Sequence, residues 1–512
     1  MQRKSNFLWL LFLPVLFVLP SCGDDLLTES PTNFLSPVNF YRNAADAEIA
    51  LNGVYAGQQR IQGYAGGDAG VALLWGVHGS DEIVVPPWTP IDRRSLFLFN
   101  LNPELTAFFN IYSRHYQEIN RANTVIDRVG AMSEDQISEE AKASVIAQAR
   151  VIRGSFYFNL VRIWNRVPLV LQERTNLEDL KFLQSEPEDI YAQIISDISV
   201  GVETLEEGSQ TGRITKGAAQ ALLGKVYLQM AGWPLKQQDK YALAASQFQE
   251  VMESGQYELL DDFQQVFDFE NELNRELVYV VEHDAPGETI DGTQQSNLGS
   301  FMGPGGALGD GGGWGTAWAA PTHEFAYDRG DQRRTVTVAY HNAPDVQDST
   351  RGPNQFRPWK WQKPTGQAWG NDTPFDYPYI RYAEVLLGFA EAHAQANSAV
   401  TAEALDAINQ VRTRARAGAG ADVVPNYTTD LGLEAFMDAI VNERLLELAY
   451  EGHRKGDLVR WELLVETMLN FGDNSISAVW PGAPDVQDHE TLWPIPQPVL
   501  DLNPDIVQNP GY

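Results

Sequence analysis

The sequence predicts a mostly α-helical protein: paired helices build a scaffold, long irregular connections interrupt it, and a few short strands are scattered among them. Three observations point there. From 379 to 461, Tyr379, Tyr382, Ala383, Leu386, Leu387, Ala390 and Ala394 open a series of apolar residues three and four apart, as on one buried helix face. Similar stripes recur upstream, at 105–129, 138–164, 188–205 and 215–230, and none can bury its apolar side alone. Between 285 and 378, by contrast, Gly299, Gly303, Gly305, Gly306, Gly309, Gly311, Gly312, Gly313 and Gly315 rule out a long helix.

Taken in order, 44–55 reads as a helix with Ile49, Leu51 and Val54 apolar, and 57–100 as loop, broken by Gly63, Gly66, Gly67, Gly70 and Pro86-Pro87. The helix at 138–164 starts on Ser138-Glu139, a capping pair, and stops at Asn165-Arg166-Val167-Pro168. Leu223-Gly224-x-x-Tyr227 followed by Ala244-x-x-x-Phe248 matches the tetratricopeptide helix-turn-helix pattern, with Gln220 in the tryptophan place and a long connection through Trp233-Pro234. There the glycine admits a close helix, while Tyr227 and Phe248 fill the space between. Leu387-Gly388 echoes the pattern, with Ala404 and Ile408 following and Glu391 in the tyrosine place. Four helical hairpins are expected. Strand-like pieces stand at 277–282 and 335–340, and Pro358-Trp359-Lys360-Trp361 alternates as a half-buried strand does. The helix opened by Tyr379 breaks at Asn397-Ser398; a second follows the N-cap Thr401, and a third runs through Met437, Ile440, Val441, Leu445, Leu448 and Ala449 to Gly452.

Hydrophobic residues make up 44% and aromatics 11%, enough to fill a core and to exclude a disordered chain. The formal net charge is -31. Such a charge repels phosphate backbones and excludes nucleic acid as a partner. Arg3 and Lys4 precede an apolar run, 7–19, too short to span a bilayer and typical of a secretory signal. Leu19-Pro20-Ser21-Cys22 closes it. Cys22 is the only cysteine, so it cannot form an internal disulfide. It resembles the lipidated residue of a bacterial lipobox, which anchors the chain to a membrane through several acyl chains; an inert cysteine after the leader is the alternative. Gly23-Asp24-Asp25 resembles the surface-export signal of Bacteroidetes-type lipoproteins.

Several stretches together resemble the SusD/RagB family. Arg153-Gly154-Ser155-Phe156-Tyr157-Phe158-Asn159-Leu160 and then 164–170 are similar to its N-terminal helix and exit, with Asn165 in place of the family's glycine. Arg213-Ile214-Thr215-Lys216-Gly217-Ala218-Ala219, 378–387, Ile440-Val441-Asn442-Glu443-Arg444, Gly452-His453-Arg454 and Trp493-Pro494-Ile495-Pro496 resemble further family motifs. The resemblance spans nearly all of the mature chain. It implies four tetratricopeptide-like helix pairs in a right-handed superhelical scaffold. Residues 1–21 become a lipoprotein signal peptide, 22–232 the N-terminal part and 233–512 the C-terminal part, forming one compact unit with the ligand-binding loop segment 285–378. It implies an outer-membrane lipoprotein, lipid-anchored and facing the cell exterior, that captures oligosaccharide or polysaccharide for a SusC-like TonB-dependent transporter. No catalysis and no cofactor are implied, and some relatives take peptides instead.

Sugars present flat faces of C–H bonds and rims of hydroxyls, so a site needs exposed aromatic platforms with polar groups beside them. Five of the 13 tryptophans, Trp314, Trp318, Trp359, Trp361 and Trp369, fall in the irregular segment. Trp75 and Trp88 fall in the earlier loop near Asp81, Glu82, Arg93 and Arg94. In the family these two regions supply the platform. Trp88, Trp314 and Trp318 lead as glycan-binding residues, with Trp75, Tyr64, Asp81 and Arg93 in support. The opposing reading is that each indole is core under a long loop.

Other chemistry is open to the same residues. Arg381, Glu384, Asn442, Glu443, Arg444, Arg454 and Asp457 stand on apolar helices, as a binding site or as ion pairs that fix packing. A glycoside hydrolase could draw on Asp81-Glu82, Glu324, Asp328 and Asp331. His323-Glu324 begins a zinc helix motif, but Tyr327 occupies the second histidine place. A structural calcium ion among Asp310, Asp345 and Asp348 has no EF-hand-like spacing behind it. The basic run Arg329, Arg333, Arg334, Arg351, Arg357, Lys360 and Lys363 suits an anionic sugar, or else is solvated or paired.

Overall fold

Caps set the ends of the helices. Ser138, Thr215 and Thr401 each accept a hydrogen bond from the backbone N–H three residues on, at 3.2, 3.2 and 3.1 Å, satisfying donors the first turn leaves open. The computed structural model describes residues 40–61, 70–175, 182–208, 212–283, 296–302, 314–340, 356–361, 373–471 and 484–512. Helices dominate it, as the apolar spacing predicts. The first seven are α1 (Ala44–Ile61), α2 (Ile91–Leu98), α3 (Thr106–Gly130), α4 (Glu139–Trp164), α5 (Pro187–Thr204), α6 (Lys216–Ala231) and α7 (Lys240–Glu253). Short helices α8 (Leu298–Met302), α9 (Pro321–Glu324) and α10 (Gln332–Thr337) punctuate the irregular segment. After it come α11 (Tyr382–Asn397), α12 (Ala402–Ala415), α13 (Leu433–Glu447), α14 (Arg454–Arg460), α15 (Leu464–Phe471) and α16 (Gln497–Leu502).

Successive helices pack in series from α3 through α7, with α1 against α3 and α4. The series then skips the irregular segment: α7 packs on α11, and α11 on α12 and α13. One side chain explains the skip. A methyl group built on Gly224 of α6 would lie 2.8 Å from one edge of the Phe248 ring, and one built on Gly388 of α11 would lie 2.8 Å from the other edge. Phe248, 2% exposed, therefore sits between two helices that both need glycine to approach it. Both halves of the tetratricopeptide-like pattern meet on this ring, while Tyr227 is only half-buried. A single apolar core runs from Ala47 to Ile506.

Asn165, after α4, takes φ +64° and ψ -72°, the centre of a strained γ-turn that Arg166 N–H closes on Trp164 O at 2.8 Å, a conformation glycine enters at least cost. The tail motif Trp493-Pro494 returns to this helix end. Trp493 N–H donates to Ile163 O at 2.9 Å, and the Trp164 indole donates to Pro494 O at 2.9 Å.

The strands among the described residues form three antiparallel pairs. These are β1 (Ile83–Val84) with β3 (Trp318–Ala319), β2 (Leu277–Val281) with β6 (Tyr377–Arg381), and β4 (Val338–Tyr340) with β5 (Phe356–Pro358). Several expectations need correction here. Tyr379 does not open a helix, because Tyr377–Arg381 pairs with β2 and α11 starts only at Tyr382. Residues 335–337 belong to α10, which Asp331 caps by accepting from Arg333 N at 2.9 Å. The alternating Trp359-Lys360-Trp361 lies beyond β5 and is wholly buried. Finally, α1 continues to Ile61, and the supposed loop 57–100 contains a π-helical turn, Ala72–Val77, as well as α2.

The charges on apolar helices are ion pairs. Arg381 binds Glu276, Glu447 and Glu451 at 2.6, 3.0 and 2.7 Å. Arg333 binds Asp331 and Glu443, Arg412 binds Glu443, Arg414 binds Glu276 and Glu447, and Lys360 binds Glu451. The four carboxylates of Glu276, Glu443, Glu447 and Glu451 have no exposed side-chain surface. Five cations thus hold β6, α12, α13 and the irregular segment to one another. A second cluster joins Arg444 and Arg460 to Asp457, Arg460 to Glu391, and Lys225 to Glu384. Asn442 is exposed beside them.

Candidate functional site

The β1–β3 pair brings two distant loops together. Ile83 and Val84, buried and β-branched, pair with Ala319 and Trp318. Ala320 N–H donates to Glu82 O at 2.9 Å, and Thr89 Oγ1 to Thr316 O at 3.2 Å, extending the seam on both sides. Between these ties, Pro86-Pro87 takes the chain outward, and Thr89 N–H closes a turn on Pro86 O at 3.0 Å. Trp88, at the apex, is 60% exposed. Its ring meets Trp318 edge to face, 5.2 Å between centroids at 65°. The buried Trp318 backs the exposed Trp88.

The support continues inward. The Arg357 guanidinium lies 4.2 Å over the Trp318 ring, a cation–π arrangement, and burial pushes its pKa down to about 10, which leaves it charged at neutral pH. From α2, Arg93 lies 4.3 Å over Phe301 and 5.8 Å over Trp314. Phe301 and Trp314 are themselves edge to face at 4.4 Å, and Trp314 is half-buried. Of the expected residues, Trp88 is exposed on a shelf whose backing is Trp318, which is buried and cannot itself stack a ligand, while Arg93 and the half-buried Trp314 pack together on the same two loops. Its chemistry is a stacking surface edged by guanidinium groups. Ile91, three residues after Trp88, is 63% exposed, and Phe301 is buried under Arg93; nothing in the spacing of either marks its place.

Two expected residues belong elsewhere. Trp75 is 1% exposed, locked in the π-helical turn with the Arg162 guanidinium 5.0 Å over its ring, so it cannot stack a ligand. The unbroken apolar run Val71-Ala72-Leu73-Leu74-Trp75 was the signal for burial. Asp81 is bound by Arg454 at 2.8 and 2.9 Å and is not free to pair hydroxyls. Burial opposes its charge, but Arg454 holds its carboxyl below the usual range. Tyr64, Cys22, Trp369, Asp310, Asp345 and Asp348 lie outside the described residues.

Of the hydrolase residues, Glu82 and Asp331 are sealed. Glu82 is fully buried and accepts from Tyr450 N–H at 2.9 Å; burial pushes its pKa up to about 8. Asp331 is consumed by Arg333, and Asp328, three residues earlier, is exposed and accepts from Asp331 N–H through its backbone carbonyl at 3.0 Å. His323 is buried between the hydroxyls of Tyr450 and Tyr327, each at 3.1 Å, and burial lowers its pKa to about 3. A separate cleft of about 910 Å³, lined by Tyr257, Asp261, Asp262, Tyr382, Asp406 and Asn409 among others, shares no residue with the shelf.

Known proteins share this architecture. A family model described as "SusD family" matches residues 309–512, and one described as "Starch-binding associating with outer membrane" matches 99–228. "SusD-like protein P2" of Formosa agariphila is 27% identical over 533 residues, covering 98% of this chain and 99% of its own. Among solved structures, a SusD homolog from Bacteroides thetaiotaomicron gives a TM-score of 0.80 at 24% identity, over 96% of this chain and 100% of that one. A laminarin-binding SusD-like protein gives 0.73 at 26% identity, over 92% and 100%.

Proposed function

The chain belongs to the SusD/RagB family, and from that membership we propose that it captures oligosaccharide or polysaccharide at the cell surface, without catalysis. Trp88 carries this reading: a 60% exposed indole is expensive to leave in water and is braced by Trp318 where a sugar face can stack on it. Similarity to a protein named for laminarin binding supports carbohydrate as the ligand class. The burial of Glu82 and the pairing of Asp81 speak against hydrolysis, since an acid and base must reach the scissile bond.

The captured glycan passes to a SusC-like TonB-dependent transporter. Lipid on Cys22 holds the protein at the outer membrane facing outward; no helix of the described residues is long and apolar enough to cross a membrane. Replacing Trp88 with alanine is expected to weaken glycan retention in an affinity gel by about tenfold, the loss of one stacking contact, with the melting temperature unchanged. Undiminished retention would remove the shelf from the site. Release of new reducing ends from a polysaccharide panel would restore the hydrolase, and peptide retention with no sugar bound would make the protein a peptide-capturing lid.

A further inference from the structure

The shelf is basic in a strongly acidic protein. Between 85 and 100 the sequence carries Arg93 and Arg94 against Asp92, within a chain of net charge -31. Arg94 Nη1 donates to Pro87 O at 3.0 Å, directly behind Trp88, and its Nε is buried with no partner. No carboxylate among the described residues forms an ion pair with Arg94. Arg93 reaches over Phe301 and Trp314 on one flank. Beneath, Arg357 lies against Trp318 and adds positive field without reaching the surface. The other described cations of the basic run are placed differently: Arg333 and Lys360 are neutralised in the buried network, Arg334 is buried and Arg329 is exposed on the turn before α10.

We propose that the shelf selects an anionic oligosaccharide, one bearing carboxylate or sulfate groups, with Trp88 stacking on a ring and Arg94 meeting a charged substituent. A guanidinium offers paired donors that match either group, and hydrogen bonds to an ion are the strong kind. The global charge works against a polyanion, but salt screens it within roughly 10 Å, whereas contacts at the shelf act at hydrogen-bond range. Retention of a polyanion by this chain is therefore a local property, not general attraction.

The inference rests on the glycan-capture reading and narrows its ligand class. The test measures binding of full mature protein to laminarin oligosaccharides, which are neutral, to alginate oligosaccharides, which carry carboxylates, and to carrageenan oligosaccharides, which carry sulfates, at low and high salt. At least one anionic probe is expected to bind about tenfold tighter than laminarin at low salt, and to lose that margin at high salt. Arg94→Gln should reduce the anionic-to-neutral ratio by about tenfold. Arg416→Gln, which removes an equal charge at the end of α12, should leave the ratio alone. Alginate alone or carrageenan alone identifies the group recognised. Laminarin binding as tightly as both, with ratios untouched by the arginine changes, overturns the inference and leaves capture of neutral glycan standing. Binding to none of the three, on a folded protein, overturns both.

Discussion

Glu82 shows how far burial changes a single residue near the shelf. It lies under the β1–β3 seam with no exposed surface, and burial lifts its pKa from 4.5 to about 8 although Tyr450 N–H favours the ionised form. A folded-state value above the unfolded one means that the folded chain holds a proton that the unfolded chain releases. The stabilisation is complete below about pH 4.5 and is lost as pH rises towards about 8. Wild type should therefore lose up to about 1.4 kcal/mol per pH unit relative to Glu82→Gln across that window, as denaturant melts at several pH values would show; parallel curves would mean that the carboxyl is ionised throughout. Trp88 and Trp75 differ for a comparable reason. Pro86-Pro87 marks Trp88 for an exposed turn, and that much was legible. Trp75 sits in the loop by glycine count alone, while its immediate neighbours are all apolar and take it inside.

Among the elements, the α6–α7 contact was the most readable part of the sequence, because Gly224 spaced against an aromatic has one geometric meaning; that Gly388 of α11 meets the same ring was not legible. Gly224→Val should overpack the Phe248 ring and cost about 1–3 kcal/mol, visible as a lower melting temperature; a melt equal to wild type would show that the ring can move aside. The strands were less readable. Tyr379 stands three and four residues before Tyr382 and Ala383, a spacing that fits a helix, and only the pairing of Tyr377–Arg381 with β2 decides the matter. Likewise, β1 and β3 are two residues each, too short to carry a periodic signal, yet they join the two loops that build the shelf. The composition of those loops was legible, whereas their meeting followed only from the family resemblance and not from any pattern in the residues.

Across the whole molecule, the buried ionic network does what no single helix can, tying β6, α12, α13 and the irregular segment together. Burial works against the Glu447 charge, but Arg414, Arg381 and Arg333 hold its carboxyl well below the usual range. Arg381 and Lys360 do the same for Glu451, again against burial. Their contribution is present above the ordinary carboxylate pKa of 4.5 and disappears as pH falls through the lower folded values. Unfolding should therefore set in below about pH 4. Arg381→Met, which leaves Glu276, Glu447 and Glu451 short of a cation, should cost about 3–5 kcal/mol at neutral pH; a stable variant would mean that the remaining cations compensate. These charges stood out in the sequence as anomalies on apolar helices, but which partners they took depends on segments far apart in the chain. The Phe248 ring carries that dependence into the order of synthesis. A ribosome delivers α7 first and must add all of 254–381 before α11 emerges. Until then one edge of the ring faces water, and the half-made chain presents an adhesive groove. Export before folding would let both walls of that groove arrive together.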